Sequence, residues 1–155
     1  MAIITDDMRR IVRATRLCFA ATVGADGTPN LSPKSSLMVY DDDHLVFANI
    51  ASPNTVRNLR RNPAIEINAI DIFARRGYRF KGTAELMPSG SPEYDFVAEP
   101  FWAENGTVFP VHEIVKVAVT RAAPVLSPAY TFIDGITEED LREAYLAKYG
   151  VQPVE

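Results

Sequence analysis

Residues 17–50, LCFAATVGADGTPNLSPKSSLMVYDDDHLVFANI, decide the fold of this chain. Two runs rich in β-forming residues, 17–23 and 30–40, flank an Asp26-Gly27 pair, which is a strong signal for a tight β-hairpin. An acidic turn, DDDH, then leads into a third apolar run, LVFANI. Strands joined by such short turns pair antiparallel, because parallel strands need long crossover connections.

The pattern outside this stretch predicts three more strands and four helices. Alternating apolar residues indicate the strands, and capping residues at helix starts indicate the helices. The predicted strands are 17–23, 30–40, 45–50, 64–71, 78–87 and 111–120, the predicted helices are 5–15, 52–62, 92–102 and 137–149, and 124–132 is predicted as extended. Strands that follow one another in hairpins favour a mainly β fold, an antiparallel barrel with peripheral helices, over a doubly wound parallel sheet.

The composition is that of a globular chain that folds without a metal or a disulfide. The chain has 155 residues, 47% of them hydrophobic and 23% charged, so we expect a single domain over residues 1–155. The single cysteine, Cys18, excludes an internal disulfide and a cysteine zinc cage, and we interpret it as a core thiol. The two histidines, His44 and His112, leave little for a metal site, so none is predicted.

Charge and hydropathy narrow the classes of partner. The 16 basic and 20 acidic residues give a net charge of −4, which argues against a non-specific nucleic-acid binder. The longest apolar runs have the length of strands, far below the roughly 20 residues of a membrane-spanning helix, and the N-terminus lacks a signal-peptide core. We therefore expect a cytoplasmic protein with no nucleic-acid and no membrane partner. No sequence motif of a hydrolase triad, a nucleotide-binding loop or a zinc protease occurs, so catalytic residues remain unassigned.

The second predicted strand carries an unusual concentration of polar residues. Alternation places Ser32, Lys34 and Ser36 on one of its faces and Ser35 on the other. Lys34 brings a formal positive charge to the first face. In the alternative interpretation, Lys34 is simply a solvated side chain.

An anion site is predicted where the third strand gives way to the second helix. Ser52 is a candidate N-cap, Pro53 occupies the favoured first helical position, and Thr55 lies in the first turn. Free N–H groups at the helix start and the two hydroxyls suit a phosphate monoester, to which Lys34 and Arg57 would add positive charge. The alternative is that Ser52 only caps the helix.

The order of these motifs resembles the pyridoxamine 5'-phosphate oxidase-like family of flavin-binding split barrels. The resemblance covers about residues 7–120 and rests on FAATVGADGTPNLSPKSS, DDDHLVFANIASPNTVRNLRRNPAIEI and GYRFKGTAEL. It implies a six-stranded antiparallel split β-barrel with peripheral helices. It also implies FMN as the cofactor and a homodimer, with the cofactor groove at the interface and each site built from both chains.

Carried over position by position, the resemblance implies eight cofactor-binding residues in three groups. The first group flanks the flavin ring or ribityl chain, the second lines the end of the third strand, and the third holds the phosphate. In that order the groups are Lys34, Ser35 and Ser36; Asn49 and Ala51; and Ser52, Asn54 and Thr55. Lys34 is also the candidate donor to the N1–C2 edge of the ring, where a donor stabilises negative charge on the reduced flavin.

The function that the resemblance implies is an FMN-dependent oxidoreductase acting on an unknown small substrate. Two departures argue against pyridoxine phosphate oxidation itself. Pro53 and Asn54 stand where the true oxidases have Arg and Lys, and the helix 137–149 stands where they have a basic, tryptophan-containing segment. Trp102, the only tryptophan, either covers the flavin or the dimer seam or is a core aromatic. The alternatives are a non-enzymatic flavin-binding or electron-carrier protein, a deazaflavin- or haem-binding relative, and a barrel that has lost its cofactor.

Overall fold

A seven-stranded antiparallel sheet organises residues 2–154, the part of the chain that the computed structural model describes. The strands are β1 (Cys18–Val23), β2 (Pro29–Lys34), β3 (Met38–Val39), β4 (His44–Asn49), β5 (Ala64–Asp71), β6 (Arg76–Met87) and β7 (Glu113–Leu126). Their order across the sheet is β2-β1-β5-β6-β7-β4-β3. The sheet curls into a split barrel, which confirms the predicted mainly β fold.

Five helices flank the sheet within these residues. They are α1 (Asp6–Ala14), α2 (Pro53–Arg61), α3 (Pro92–Asn105), α4 (Ala129–Phe132) and α5 (Glu138–Tyr149). Thr5 and Thr137 form capping boxes at the starts of α1 and α5, and Ser91 caps α3, as expected of these residue types. In residues 2–154 no helix combines the length and the apolar character needed to span a membrane.

The sheet has seven strands rather than six because the predicted strand 30–40 is broken. Its first part forms β2 and pairs with β1 at one edge of the sheet, whereas its second part forms β3 and pairs with β4 at the other edge. Between them, Ser36 turns its hydroxyl towards β4 and accepts a hydrogen bond from the Ala48 N–H at 2.9 Å. The chain therefore crosses the open side of the barrel within three residues.

The prediction of an extended segment over 124–132 is wrong in its second half. The strand β7 ends at Leu126, and Ala129–Phe132 forms α4. The Tyr130 hydroxyl donates to the Ala74 carbonyl at 2.6 Å, so this short helix is held against the β5–β6 turn.

The larger hydrophobic cluster lies inside the curl of the sheet, as the alternation in β5 predicts, and a smaller one packs α3 against β4. Ile65, Ile67 and Ala69 are buried, while the residues between them are partly exposed. Cys18 is confirmed as a core thiol: burial raises its pKa to about 12, and its Sγ–H donates to the Lys34 carbonyl at 3.2 Å. This contact ties the start of β1 to the end of β2, next to the predicted anion site.

The strand β6 bends at Gly82, where its register with β7 shifts after Lys81. A side-chain Cβ at Gly82 would lie 2.8 Å from Cγ1 of Val117 and closer still to the Ala118 carbonyl oxygen. A glycine inside a strand is typical of a bulge or of a close backbone approach, and Gly82 shows both.

The helix α5 packs on the β5–β6 hairpin. Arg142 forms an ion pair with the buried carboxylate of Asp71 at 2.6 Å, and Glu138 forms one with Arg76. None of the residues that line the cleft described below belongs to α5. The predicted helix 137–149 is present, and in one chain it stabilises the barrel at a distance from that cleft.

Candidate functional site

A cleft of about 280 Å³, lined by both polar and apolar residues, opens where β2 ends and where β4 leads into α2. Residues 32–36 line it from the β2 side, and Ala48 and residues 50–52 line it from the β4 side. The break after β2 brings the two sides together, through the hydrogen bond between Ser36 and Ala48. Of the eight predicted residues, the cleft gathers five: Lys34, Ser35, Ser36, Ala51 and Ser52.

Lys34 is a buried lysine, only 6% exposed, in the wall of this cleft. Its Nζ donates to Ser32 Oγ at 2.6 Å and lies 5.8 Å from the centroid of the Phe47 ring. Within residues 2–154 no carboxylate forms an ion pair with it, and burial lowers the pKa of its ammonium. An ammonium that has lost its water without gaining a counter-ion is costly, so the cleft favours an anion.

The start of α2 presents backbone donors beside the cleft, but the side chain of Ser52 does not cap it. The Ser52 hydroxyl instead donates to Asn49 Oδ1 at 3.2 Å, and in the described part of the chain no side chain caps the helix. Ser52 therefore occupies the N-cap position, as predicted, but its hydroxyl is oriented towards Asn49 and accepts no hydrogen bond from the first turn of the helix. The first-turn N–H groups of Asn54 and Thr55 are left as the positive end of a nine-residue helix.

The remaining three predicted residues, Asn49, Asn54 and Thr55, do not line the cleft. Asn49 is buried and donates its amide to Glu113 Oε2 at 3.2 Å, which fixes the turn that carries Ser52. Asn54 is exposed and accepts a hydrogen bond from Arg57. Thr55 is only 1% exposed, and its hydroxyl has no hydrogen-bond partner within residues 2–154.

One polar residue of the cleft, Ser32, was missing from the eight predicted cofactor-binding residues. Ser32 lines the cleft and orients Lys34, and the sequence signal for it was its position on the same strand face. Trp102 lies elsewhere: its ring packs edge-on against Tyr94, and its Nε1–H donates to the Phe109 carbonyl at 2.8 Å. Of the predicted alternatives for Trp102, the contacts within one chain therefore match the packing role.

A curled antiparallel sheet with helices on its outside and a cleft beside the start of one of them defines a split-barrel protein. The family model described as pyridoxamine 5'-phosphate oxidase matches residues 4–130. The chain belongs to this family. No match was found among curated proteins.

Solved structures share the fold. HupZ from Group A Streptococcus is 30% identical, with a TM-score of 0.68 over 80% of this chain and 95% of that chain. An FMN-binding protein from Syntrophomonas wolfei is 16% identical, with a TM-score of 0.71 over 80% and 87%. The haem storage protein HutZ from Vibrio cholerae is 18% identical, with a TM-score of 0.61 over 79% and 94%. At such identities the last two show the common fold alone.

Proposed function

We propose that this chain binds FMN in the cleft at Lys34 and works as an oxidoreductase on a small substrate. The observation that carries the proposal is the buried Lys34 ammonium, which has no carboxylate partner within residues 2–154 and lies in a cleft next to the uncapped start of α2. A phosphate monoester carries about 1.5 to 2 negative charges at neutral pH, which suits both features.

The residues fit the cofactor in the following way. The first-turn N–H groups of Asn54 and Thr55 and the hydroxyl of Ser52 would hold the phosphate. Lys34 and Ser36 would bind the remaining polar edge of the cofactor. When bound, FMN supplies the hydride and electron transfer, and the chain's own residues hold it in place, exclude water and neutralise its charge.

The haem alternative is less well supported by this cleft, because neither histidine lines it. His44 lies at the far end of β4 from Asn49, and its Nδ1 is 2.7 Å from Asp41. His112 is exposed. An axial haem ligand from within the cleft is therefore missing among the residues that line it.

A second copy of the chain is the proposed partner that completes the site. The cleft of one chain is slightly smaller than the roughly 300–1,000 Å³ typical of small-molecule sites. Along the edge strand β2, which also borders the cleft, the outer face of the sheet exposes Leu31 (66%) and Phe19 of the neighbouring β1 (41%). Burying this apolar face in a homodimer would extend the cleft wall with residues of the partner.

Titration of the purified protein with FMN tests the cofactor proposal. We expect saturable quenching or shifting of the flavin fluorescence and an oxidised-flavin absorption spectrum that stays with the protein through gel filtration. A Soret band after addition of haem, without any response to FMN, would contradict the proposal. Oxidation of a reduced nicotinamide by the loaded protein in the presence of an acceptor would support an enzyme, and its absence would favour the flavin carrier.

Replacement of Leu31 by aspartate tests the dimer. We expect the dimer dissociation constant to rise about ten-fold or more, since a charge would be buried in an apolar contact. Sedimentation velocity over a range of concentrations measures it. Phe132→Asp, at a residue that is 81% exposed on α4, is the matched control and should leave the association unchanged. A monomeric wild-type protein would refute the homodimer.

A further inference from the structure

The helix α5 is attached to the barrel with little apolar burial. Of its twelve residues, all of which the structure describes, only Leu141 is buried. Helices of globular proteins are stabilised mainly by packing an apolar face on the core, and α5 lacks a continuous face of this kind. The helix also lies beyond residues 4–130, the part of the chain that matches the family model. Its attachment therefore depends largely on polar contacts.

Ion pairs supply these contacts in the first turns of α5. Glu138 accepts hydrogen bonds from Arg76 at 2.5 Å and from Arg10 at 3.1 Å. Arg142 donates to Asp71 at 2.6 Å. The side chains of Arg10, Glu138 and Arg142 are 49%, 36% and 32% exposed, so salt in the solvent screens their charges. The attachment of α5 should therefore weaken as the ionic strength rises.

A cation–π contact joins α5 to the turn between β5 and β6. The guanidinium of Arg75 lies 4.5 Å from the centroid of the Tyr145 ring. Arg75 has a φ of 57°, in the left-handed region that residues other than glycine seldom adopt, and its N–H donates to the Asp71 carbonyl at 2.8 Å. Such backbone strain persists only where the surrounding contacts maintain it, and the Tyr145 ring provides one of them.

The turn keeps contacts of its own that do not involve α5. Asp71 Oδ1 accepts hydrogen bonds from the N–H groups of Phe73 and Ala74, each at 3.0 Å. Arg76 is also paired with Asp7 of α1 at 2.6 Å. Both charged residues of the turn that bind α5 thus retain a partner in the barrel or in α1 when the helix leaves.

A short linker allows α5 to move as a unit. Residues 133–135, between α4 and α5, are exposed, and Gly135 has a φ of 74°, which glycine adopts without strain. Changes of the backbone angles in such a loop can swing a whole element about a hinge.

We propose that α5 is a salt-sensitive latch: it docks on the β5–β6 turn at low ionic strength and is released at high ionic strength, while the barrel stays folded. Release uncovers Arg75 and Arg76, so the latch controls access to two neighbouring arginines at the surface. The proposal is independent of FMN binding, because α5 contributes no residue to the cleft at Lys34.

Hydrogen–deuterium exchange of the full chain, measured by mass spectrometry at about 0.01 M and about 1 M NaCl, tests the latch. The Debye length falls from about 30 Å to about 3 Å over this range. We expect the amides of α5 to exchange about five-fold or more faster at the higher salt, and the amides of β7 to keep their rates. Equal rates in α5 at both salt concentrations would overturn the proposal, and so would a parallel acceleration in β7.

Replacement of Glu138 by glutamine tests the ion pairs directly. At low salt we expect Glu138→Gln to accelerate exchange in α5 about five-fold or more and to reduce its salt dependence, with β7 unchanged. Glu139→Gln is the matched control, since Glu139 is an exposed acid of the same first turn and forms no ion pair within residues 2–154. It should stay within about two-fold of the wild type. Identical exchange in the two variants would show that the Glu138 ion pairs do not hold the latch.

Discussion

Replacement of Gly77 by alanine is expected to lower the free energy of unfolding by about 3 kcal/mol or more. Gly77 opens β6, opposite Ile70 in the β5–β6 hairpin and opposite Val125 of β7. A Cβ there would lie 2.8 Å from the Cα of Ile70 and closer still to the carbonyl oxygen of Ala69. Both are backbone atoms of a paired strand, so no side-chain rotation relieves the clash, and the ladder itself must open. Urea unfolding followed by circular dichroism measures the loss.

Gly24→Ala is the matched control for this prediction. A Cβ at Gly24 would lie 3.1 Å from the Asp26 carboxylate and 3.2 Å from the Thr28 carbonyl oxygen, and both belong to a surface turn that can give by a few tenths of an ångström. We expect a change below about 1 kcal/mol at this position. If Gly77→Ala unfolded at the same urea concentration as Gly24→Ala, the close packing of β5 against β6 would be refuted.

The elements of the fold were predictable where their signals are local. The alternation in β5, the Asp26-Gly27 turn and the capping threonines at 5 and 137 all depend on neighbours within a few residues, and all are confirmed. The break between β2 and β3 was not predictable in this way. Residues 34–36 are all polar and residues 37–39 are all apolar, which does not mark the end of a strand, and only the pairing partners at opposite sheet edges show where it ends.

In the candidate site, too, the features with a local sequence signal were predictable and those that depend on distant contacts were not. The polar residues Ser32, Lys34 and Ser36 are conspicuous in the sequence itself, and the resemblance to the family selected Lys34, Ser35 and Ser36 as cofactor-binding residues. The role of Ser52 was not predictable, since its hydroxyl is taken by Asn49, whose orientation depends on a hydrogen bond to Glu113, 64 residues away. A hydrogen bond between residues so far apart in the sequence cannot be predicted from the local sequence pattern.

Replacement of Lys34 by methionine is expected to weaken FMN binding by roughly ten- to a hundred-fold, the range for a lost hydrogen bond to a charged group. Methionine keeps an unbranched apolar stem and removes the ammonium, so the cleft would lose its charge with little change in shape. Isothermal titration or flavin fluorescence measures the affinity. Lys148→Met, at an exposed residue of α5, removes the same charge away from the cleft and should bind FMN like the wild type.

Lys34→Met is expected to stabilise the cofactor-free protein, although it weakens FMN binding. Burial places Lys34 where its ammonium is unfavourable, so Lys34→Met should raise the free energy of unfolding by about 1 kcal/mol. A residue that destabilises the empty protein and strengthens ligand binding is functional rather than structural. If Lys34→Met bound FMN as tightly as the wild type and was less stable, Lys34 would be a structural residue, and its proposed role in FMN binding would be refuted.

The pH dependence provides an independent test of the Lys34 charge. Burial lowers the pKa of Lys34 in the folded chain below its value in the unfolded chain, so the folded state loses the proton first as pH rises. The unfavourable contribution of the buried ammonium is therefore complete at pH values below the folded pKa. It fades as the pH rises from the folded to the unfolded pKa, so within that window the free energy of unfolding of the cofactor-free protein should increase with pH. FMN affinity should fall over the same window, because the polar edge of the cofactor that Lys34 binds then meets a neutral amine. In Lys34→Met both changes should be absent, and an affinity profile identical to that of the wild type would exclude Lys34 as the group that titrates.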